Sequence, residues 1–196
     1  MKRTFDFCSA FFGLVVLSPL FLGVSIFIYA TMGRPILFRQ ARTGLNGRPF
    51  KILKFRTMTE QLPDSDSRSD AERITPLGNV LRRTSLDELP ELWNVLLGDM
   101  SLVGPRPLLI EYLAFYSDYE AIRHEVRPGL TGWAQVNGRN ALSWEERFNM
   151  DVWYVENRGF WLDIRILFMT VRTVIKQRGI NADDEVTMPK FTGGKK

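Results

Sequence analysis

Residues 84–107 read Thr84-Ser85-Leu86-Asp87-Glu88-Leu89-Pro90-Glu91-Leu92-Trp93-Asn94-Val95-Leu96-Leu97-Gly98-Asp99-Met100-Ser101-Leu102-Val103-Gly104-Pro105-Arg106-Pro107. The pattern predicts a short helix followed by a rigid loop. Ser85 with Glu88 three residues on is a capping-box pattern that starts a helix at Leu86. Leu86, Leu89, Trp93 and Leu96 recur at helical spacing and form the expected buried face, and Gly98 ends the helix. Asp87 and Glu88 then fall in the first turn, where free N–H groups and the positive end of the dipole favour carboxylates. Asp87, Glu91 and Asn94, at i, i+4 and i+7, are expected on the opposite face. An ionised carboxylate binds metal or acts as a nucleophile. In Gly104-Pro105-Arg106-Pro107 two prolines fix the backbone around one arginine, which suits a guanidinium presented to a phosphate. Acids in a first helical turn also serve simply as caps. The residues alone leave catalysis and capping both open.

The chain has 196 residues, 45% of them apolar, and a formal charge of +4. This is one domain plus a small appendage. A basic excess suits anionic membranes, phosphates or nucleic acid, but no basic run with interleaved aromatics marks a nucleic-acid module, so nucleic acid is not an expected partner. One cysteine (Cys8) and one histidine (His124) exclude an intrachain disulfide and do not make a zinc site or a His-based nucleophile pair. A metal here would be held by oxygens, which favours magnesium. His124 is expected at the surface or at a helix end.

Lys2 and Arg3 precede an uncharged run, Phe7 to Met32. If wholly helical it reaches about 39 Å, enough for a hydrocarbon core of about 30 Å. A secretory signal is the first alternative, but the run is long for one and a basic, enzyme-like sequence follows. Ser18-Pro19 sits near the middle and must bend the helix. Either half alone is too short to cross, so a kinked spanning helix and a re-entrant hairpin both remain open. Basic residues on both flanks favour keeping both ends on the cytoplasmic side. Ser18 is placed to hydrogen-bond the carbonyl that Pro19 leaves free.

Ile36-Leu37-Phe38 and Phe50–Phe55 flank a turn-rich segment, Thr43–Gly47, and predict a β-hairpin. Lys54 and Arg56 fall on one side of its second strand. Residues 59–75 are almost all polar and predict a mobile loop, either a lid or plain surface. Leu77–Arg83 predicts a short helix that brings Arg82 and Arg83 beside the acids. Residues 108 to about 124 predict a helix, and 128–140 an irregular glycine-rich segment offering Gln135, Asn137 and Arg139 as donors to a base, ribose or phosphate. Ser143 with Glu146 is a second capping box, opening a helix to about Glu156. A last helix runs from Phe160 to Arg178. The aromatic content of these two helices fits either a membrane interface or an ordinary core. Asn181 to Lys196 predicts a frayed tail. The fold class is therefore α+β: a small β-hairpin with several helices around the site.

The stretch Ser85–Pro90, with Gly98–Ser101 and Gly104–Pro107, closely resembles the bacterial sugar transferases called monotopic phosphoglycosyl transferases. The resemblance continues through Phe38–Gln40, Lys54–Met58, Arg127–Gly132 and Gln135–Arg139, and covers roughly residues 1–180. It implies three parts: a re-entrant membrane helix over residues 1–33 broken at Ser18-Pro19, a catalytic domain over 34–180, and a tail over 181–196. It implies transfer of a sugar 1-phosphate from a UDP-sugar to polyprenyl (undecaprenyl) phosphate, with release of UMP, at the inner face of the bacterial cytoplasmic membrane. Asp87 is the implied nucleophile and magnesium ligand, and Glu88 its catalytic partner. Arg106, Lys54 and Arg56 are implied phosphate contacts, and Gln135, Asn137 and Arg139 implied nucleotide contacts. The rivals are a membrane-anchored scaffold in which Asp87 only caps a helix, and a spanning transferase with no covalent intermediate.

Overall fold

The computed structural model describes residues 1–59, 70–138, 142–176 and 191–193. The chain begins with two helices, α1 (Lys2–Val16) and α2 (Ser18–Met32). Pro19 has no N–H for the Val15 carbonyl, and the Ser18 hydroxyl takes that carbonyl at 2.8 Å instead. The helix pair bends there by 61°. Among the described residues no single helix is long and apolar enough to cross a membrane; only the bent pair together meets that measure. Phe11, Phe12, Val16, Leu22 and Phe27 leave the pair's outer face apolar and exposed. The inner face is packed: Ala10 against Leu92 and Val95, and Val24 and Ile28 against Phe55 and Leu81.

The expected hairpin forms. Strands β1 (Leu37–Thr43) and β2 (Pro49–Phe55) pair antiparallel, with Leu37 opposite Phe55 and Thr43 opposite Pro49. The polar segment after it has tied ends. Met58 bridges Ile74, the Thr59 amide donates to the Arg73 carbonyl at 2.9 Å, and Asp70–Arg73 forms a single turn, α3. The middle of the expected mobile loop, 60–69, lies outside the described residues. Helix α4 (Pro76–Arg83) follows, capped by the Thr75 hydroxyl on the Gly78 amide at 3.0 Å.

The acid stretch departs from its sequence reading. No single helix starts at Leu86. Ser85 is in the left-handed region at φ 56° and makes no side-chain cap. A 3-10 turn, Leu86–Glu88, comes first, and α5 (Glu91–Leu97) begins after Pro90. The tight turn re-phases the helix. Glu91, Leu92, Asn94 and Val95 face inward, and Trp93, expected in the core, is half-exposed. Gly98 ends α5 as expected, at φ 96°.

A parallel pair missed by pattern holds the next loop: β3 (Ser101–Val103) against β4 (Gly129–Thr131). Gly104 sits where the strands close in. A Cβ there would lie 2.4 Å from the Arg127 carbonyl oxygen, so only glycine fits. The long helix expected over 108–124 is broken into a 3-10 segment (Ile110–Phe115), a turn α6 (Asp118–Ala121) and a second 3-10 segment (Ile122–Glu125). A bridge from Arg42 to Leu109 draws out its start, and a Ser117–Glu120 capping box restarts it. Helices α7 (Trp133–Asn137), α8 (Trp144–Asn157) and α9 (Phe160–Lys176) complete the described fold. The Ser143–Glu146 box forms as expected. Of the expected tail, residues 181–190 and 194–196 lie outside the described residues; Phe191 is buried among Tyr112, Trp144 and Phe148.

Candidate active site

Asp87 and Glu88 lie in the 3-10 turn between α4 and α5, facing β2 and the loop after β3. Glu88 is the hub. Its Oε1 accepts from Lys54 Nζ and from Arg106 Nη2, each at 2.6 Å. Lys54 also stands 3.2 Å from Glu91 Oε1. One ammonium from β2 and one guanidinium from the Pro105–Pro107 loop thus converge on a single carboxylate oxygen, an arrangement that charge-assisted hydrogen bonds favour strongly.

The two adjacent acids are driven apart electrostatically. Burial pushes the Asp87 carboxyl up and the neighbouring Glu88 charge pushes it further; Lys54, Arg82 and Arg106 offset part of this, leaving it at about 6. Burial also pushes Glu88 up, but Arg106 and Lys54 outweigh it and hold the group well below the usual carboxylate range. Glu88 in turn holds the Arg106 guanidinium firmly protonated. No hydrogen bond to the Asp87 carboxylate occurs among the described residues. A fixed charge beside an uncommitted carboxylate is the separation that acid pairs with distinct roles show.

Arg106 is buttressed from behind. Arg123 donates to its carbonyl at 2.7 Å and pairs with Asp151 through two bonds of 3.0 and 2.8 Å in the interior. The Gly129 amide donates to the Pro105 carbonyl at 2.9 Å. Arg42 and Arg147 complete a basic cluster. Both are shifted down by burial and then by Arg106, Arg147 to about 10. Glu91 beside Arg42, Asp151 beside Arg147 and Glu88 on Arg106 offset part of this mutual repulsion.

The structure thus gathers Asp87, Glu88, Lys54 and Arg106. Arg56 is placed differently: its guanidinium donates to the Met32, Gly33 and Arg34 carbonyls, closing the end of α2 instead of joining the acids. Gln135 donates to the Leu130 carbonyl at 3.3 Å and Asn137 to the Trp133 carbonyl at 2.8 Å, so both amides serve their own segment. Arg139 lies outside the described residues. Asn94 does not share an open face with Asp87. It bonds the Lys51 carbonyl and Leu53 amide at 2.8 and 3.0 Å, fastening α5 to β2. His124 is at a 3-10 helix end but is buried, not at the surface. Burial and then Arg123 shift it down to about 4, so it is neutral. Sequence reasoning missed Arg42, Arg147, Arg123 and Asp151, whose only signal was the charge itself, and it took Glu91 for an exposed residue.

Among the described residues no group of three or more side chains is arranged to hold a metal. Asp87 offers one free carboxylate. Magnesium commonly takes one or two carboxylates and completes its shell from water and substrate phosphates, so the residues fit an ion that arrives with a diphosphate.

A buried acid with no hydrogen-bonded partner, beside an acid locked by Lys54 and Arg106, is a setting whose fixed cations suit phosphorylated substrates. The chain belongs to the bacterial sugar transferase family, whose model matches residues 1–177, and is accordingly a transferase enzyme of the phosphoglycosyl type the sequence resembles. It is 50% identical over 197 aligned positions to an uncharacterised sugar transferase, EpsL, of Bacillus subtilis, covering 98% of this chain and 96% of that one. It is 39% identical to the UDP-glucose:undecaprenyl-phosphate glucose-1-phosphate transferase of Escherichia coli, covering 87% of this chain and 39% of that one. It is also 39% identical to the exopolysaccharide production protein ExoY of Sinorhizobium fredii, covering 91% and 87%. The chain therefore spans nearly all of the short relatives and about two-fifths of the long one.

Proposed function

We propose that this enzyme transfers a sugar 1-phosphate from a UDP-sugar to polyprenyl phosphate and releases UMP, through an aspartyl phosphosugar intermediate. The observation that carries this is the free Asp87 carboxylate beside Glu88, which Lys54 and Arg106 fix at 2.6 Å each. The name of the Escherichia coli relative specifies the same donor and acceptor classes.

In the first half-reaction an Asp87 oxygen attacks the β-phosphorus of the donor. The bond from that phosphorus to the bridging oxygen breaks, and UMP leaves with the electron pair. In the second, an oxygen of the lipid phosphate attacks the same phosphorus and Asp87 leaves. Asp87 is the residue that would hold a magnesium ion, which would supply charge neutralisation for an anionic nucleophile. Arg106, with Lys54, stabilises charge on the transferring phosphoryl group. Glu88 is too firmly ionised for a strong base, so its setting favours positioning Lys54 and Arg106 over proton removal. Arg42 and Arg147 supply further positive potential for the donor diphosphate.

A lipid phosphate stays in the bilayer and a nucleotide sugar stays in water, so the site must sit at their boundary. The bent α1–α2 pair, with its exposed aromatic and aliphatic face, suits a re-entrant anchor that enters and leaves on one side. Exposed Arg83 is the residue of this helix end suited to lipid headgroups, while Arg82 donates to the Thr57 hydroxyl at 3.0 Å. The reading therefore includes residence at the cytoplasmic face of the inner membrane.

The test is UMP release in nanodiscs with polyprenyl phosphate, magnesium and a panel of UDP-sugars. Release with one donor, lost in Asp87→Asn, supports the reading. No release from any donor, with folded protein, contradicts it.

A further inference from the structure

The first two turns of α1 are built into the catalytic domain. Asp6 is 2% exposed. Its Oδ2 accepts from the Ser101 hydroxyl at 2.9 Å and its Oδ1 from the Leu102 amide at 3.2 Å. Arg3 donates to the Val95 and Leu96 carbonyls at 2.5 and 2.8 Å, the C-terminal end of α5. Lys2 pairs with Asp163 at 2.6 Å. Asp163 in turn accepts from the Tyr154 hydroxyl at 2.7 Å, and that hydroxyl lies 3.1 Å from the Val103 carbonyl.

These bonds reach the two supports of the site. Helix α5 follows directly on the turn bearing Asp87 and Glu88. Strand β3 runs into Gly104-Pro105-Arg106, a stiff path with little slack between Ser101 and the guanidinium. An anchor alone needs apolar surface, not a buried carboxylate. Burying a charge is costly unless it is fully bonded, and Asp6 is bonded on both oxygens to the segment that leads into the Arg106 loop.

We propose that Asp6 is a positioning residue: with Arg3 it latches the membrane-associated helix pair to both supports, so the Arg106 loop takes its working placement only when α1 is docked. Anchor and active site then act as one mechanical unit. This rests on the transferase reading above, in which Arg106 meets the phosphoryl group.

The test uses the full chain in nanodiscs with Asp6→Leu, Asp6→Asn, Ser101→Ala, Arg106→Ala and the Asp6→Leu/Arg106→Ala double variant. Misplacing a phosphate-binding group by about 1 Å is expected to cost about 100-fold in rate, so Asp6→Leu should slow UMP release on that order. Asp6→Asn keeps one acceptor for the Leu102 amide, and its NH2 donates to the Ser101 hydroxyl, which turns its own proton to the Val103 carbonyl; it should recover much of the rate that Asp6→Leu loses. The double variant should be no slower than Arg106→Ala alone, because both changes remove one contribution. Wild-type rate in Asp6→Leu, or losses that multiply in the double variant, overturns the latch. Where Asp6→Leu does not fold, Ser101→Ala carries the same non-additivity test. Hydrogen exchange of peptides spanning residues 101–109 gives a readout independent of activity and should quicken in Asp6→Leu; unchanged exchange also overturns the latch. Silence of the wild-type enzyme with every donor, together with quickened exchange, would instead count against the transferase reading and leave the latch standing.

Discussion

Arg106 Nη2 stands 2.6 Å from Glu88 Oε1, so the loop after β3 is closed onto the turn that carries Asp87, the proposed nucleophile. The same carboxylate oxygen receives Lys54 at 2.6 Å. Glu88 is thereby the part that aligns two cations beside Asp87.

Removing that alignment should damage turnover more than folding. Glu88→Gln leaves Arg106 and Lys54 without their shared charge and is expected to lower kcat by about 100-fold, the scale of losing one electrostatic stabiliser. Steady-state UMP release with a melting curve on the same sample checks it. Arg106→Lys should not rescue Arg106→Ala, since an ammonium lacks the planar fork.

Asp87 illustrates the conflict between function and stability. Its carboxyl is raised to about 6 by burial and by Glu88. A raised group favours the protonated form, so its contribution to stability is present at low pH and is lost as pH rises through about 6. Asp87→Asn should therefore abolish transfer and raise Tm at pH 8 more than at pH 5. At about 2–4 °C per kcal/mol for a chain of this size, the shift is measurable by differential scanning fluorimetry.

Glu91 gives the corresponding pH prediction. Burial, with Glu88 adding and Lys54 opposing, raises it to about 7. The stabilising contribution of its protonated form is complete below about pH 4.5, the ordinary glutamate value, and is lost as pH climbs through 7. Glu91→Gln should flatten that part of the stability profile and raise Tm at pH 8, while an unchanged profile would contradict the burial argument. Gln keeps an acceptor for Lys54, so activity should stay within about threefold, one modest hydrogen bond's worth.

The Arg123–Asp151 pair is buried on both sides, with side chains 2% and 3% exposed. Breaking such a pair strands a charge and costs about 3–5 kcal/mol. Asp151→Ala should therefore lower Tm sharply. Milder Arg123→Lys should keep part of the pairing but lose the bond to the Arg106 carbonyl, lowering turnover beyond its effect on stability.

What was legible in the sequence was local. The hairpin, the Gly98 stop, the Ser143–Glu146 box and the Ser18-Pro19 break each depend on residues within one turn of each other, and each formed. The Ser85–Glu88 box did not, because Glu88 found stronger partners in Lys54 and Arg106, far away in sequence. Ser85 then took a left-handed conformation, a strain of about 1–3 kcal/mol that such sites tolerate. The β3–β4 pair has three residues a side, too short for any period to show. Asp6, Arg123 and Asp151 read as ordinary charges because nothing in one dimension says which charge will be buried. The grouping of Asp87, Glu88 and Arg106 was readable because the motif holds them in one stretch; the supports that aim them were not.

The central claim is that Asp87 carries the phosphosugar. Intact-mass measurement of the enzyme with a turnover-competent UDP-sugar and magnesium, without lipid acceptor, tests it most directly. The account predicts a mass increase equal to one sugar phosphate, located on Asp87, absent in Asp87→Asn and discharged by adding polyprenyl phosphate. Full UMP release with no adduct at any time, and only when both substrates are present, would contradict it and indicate direct transfer.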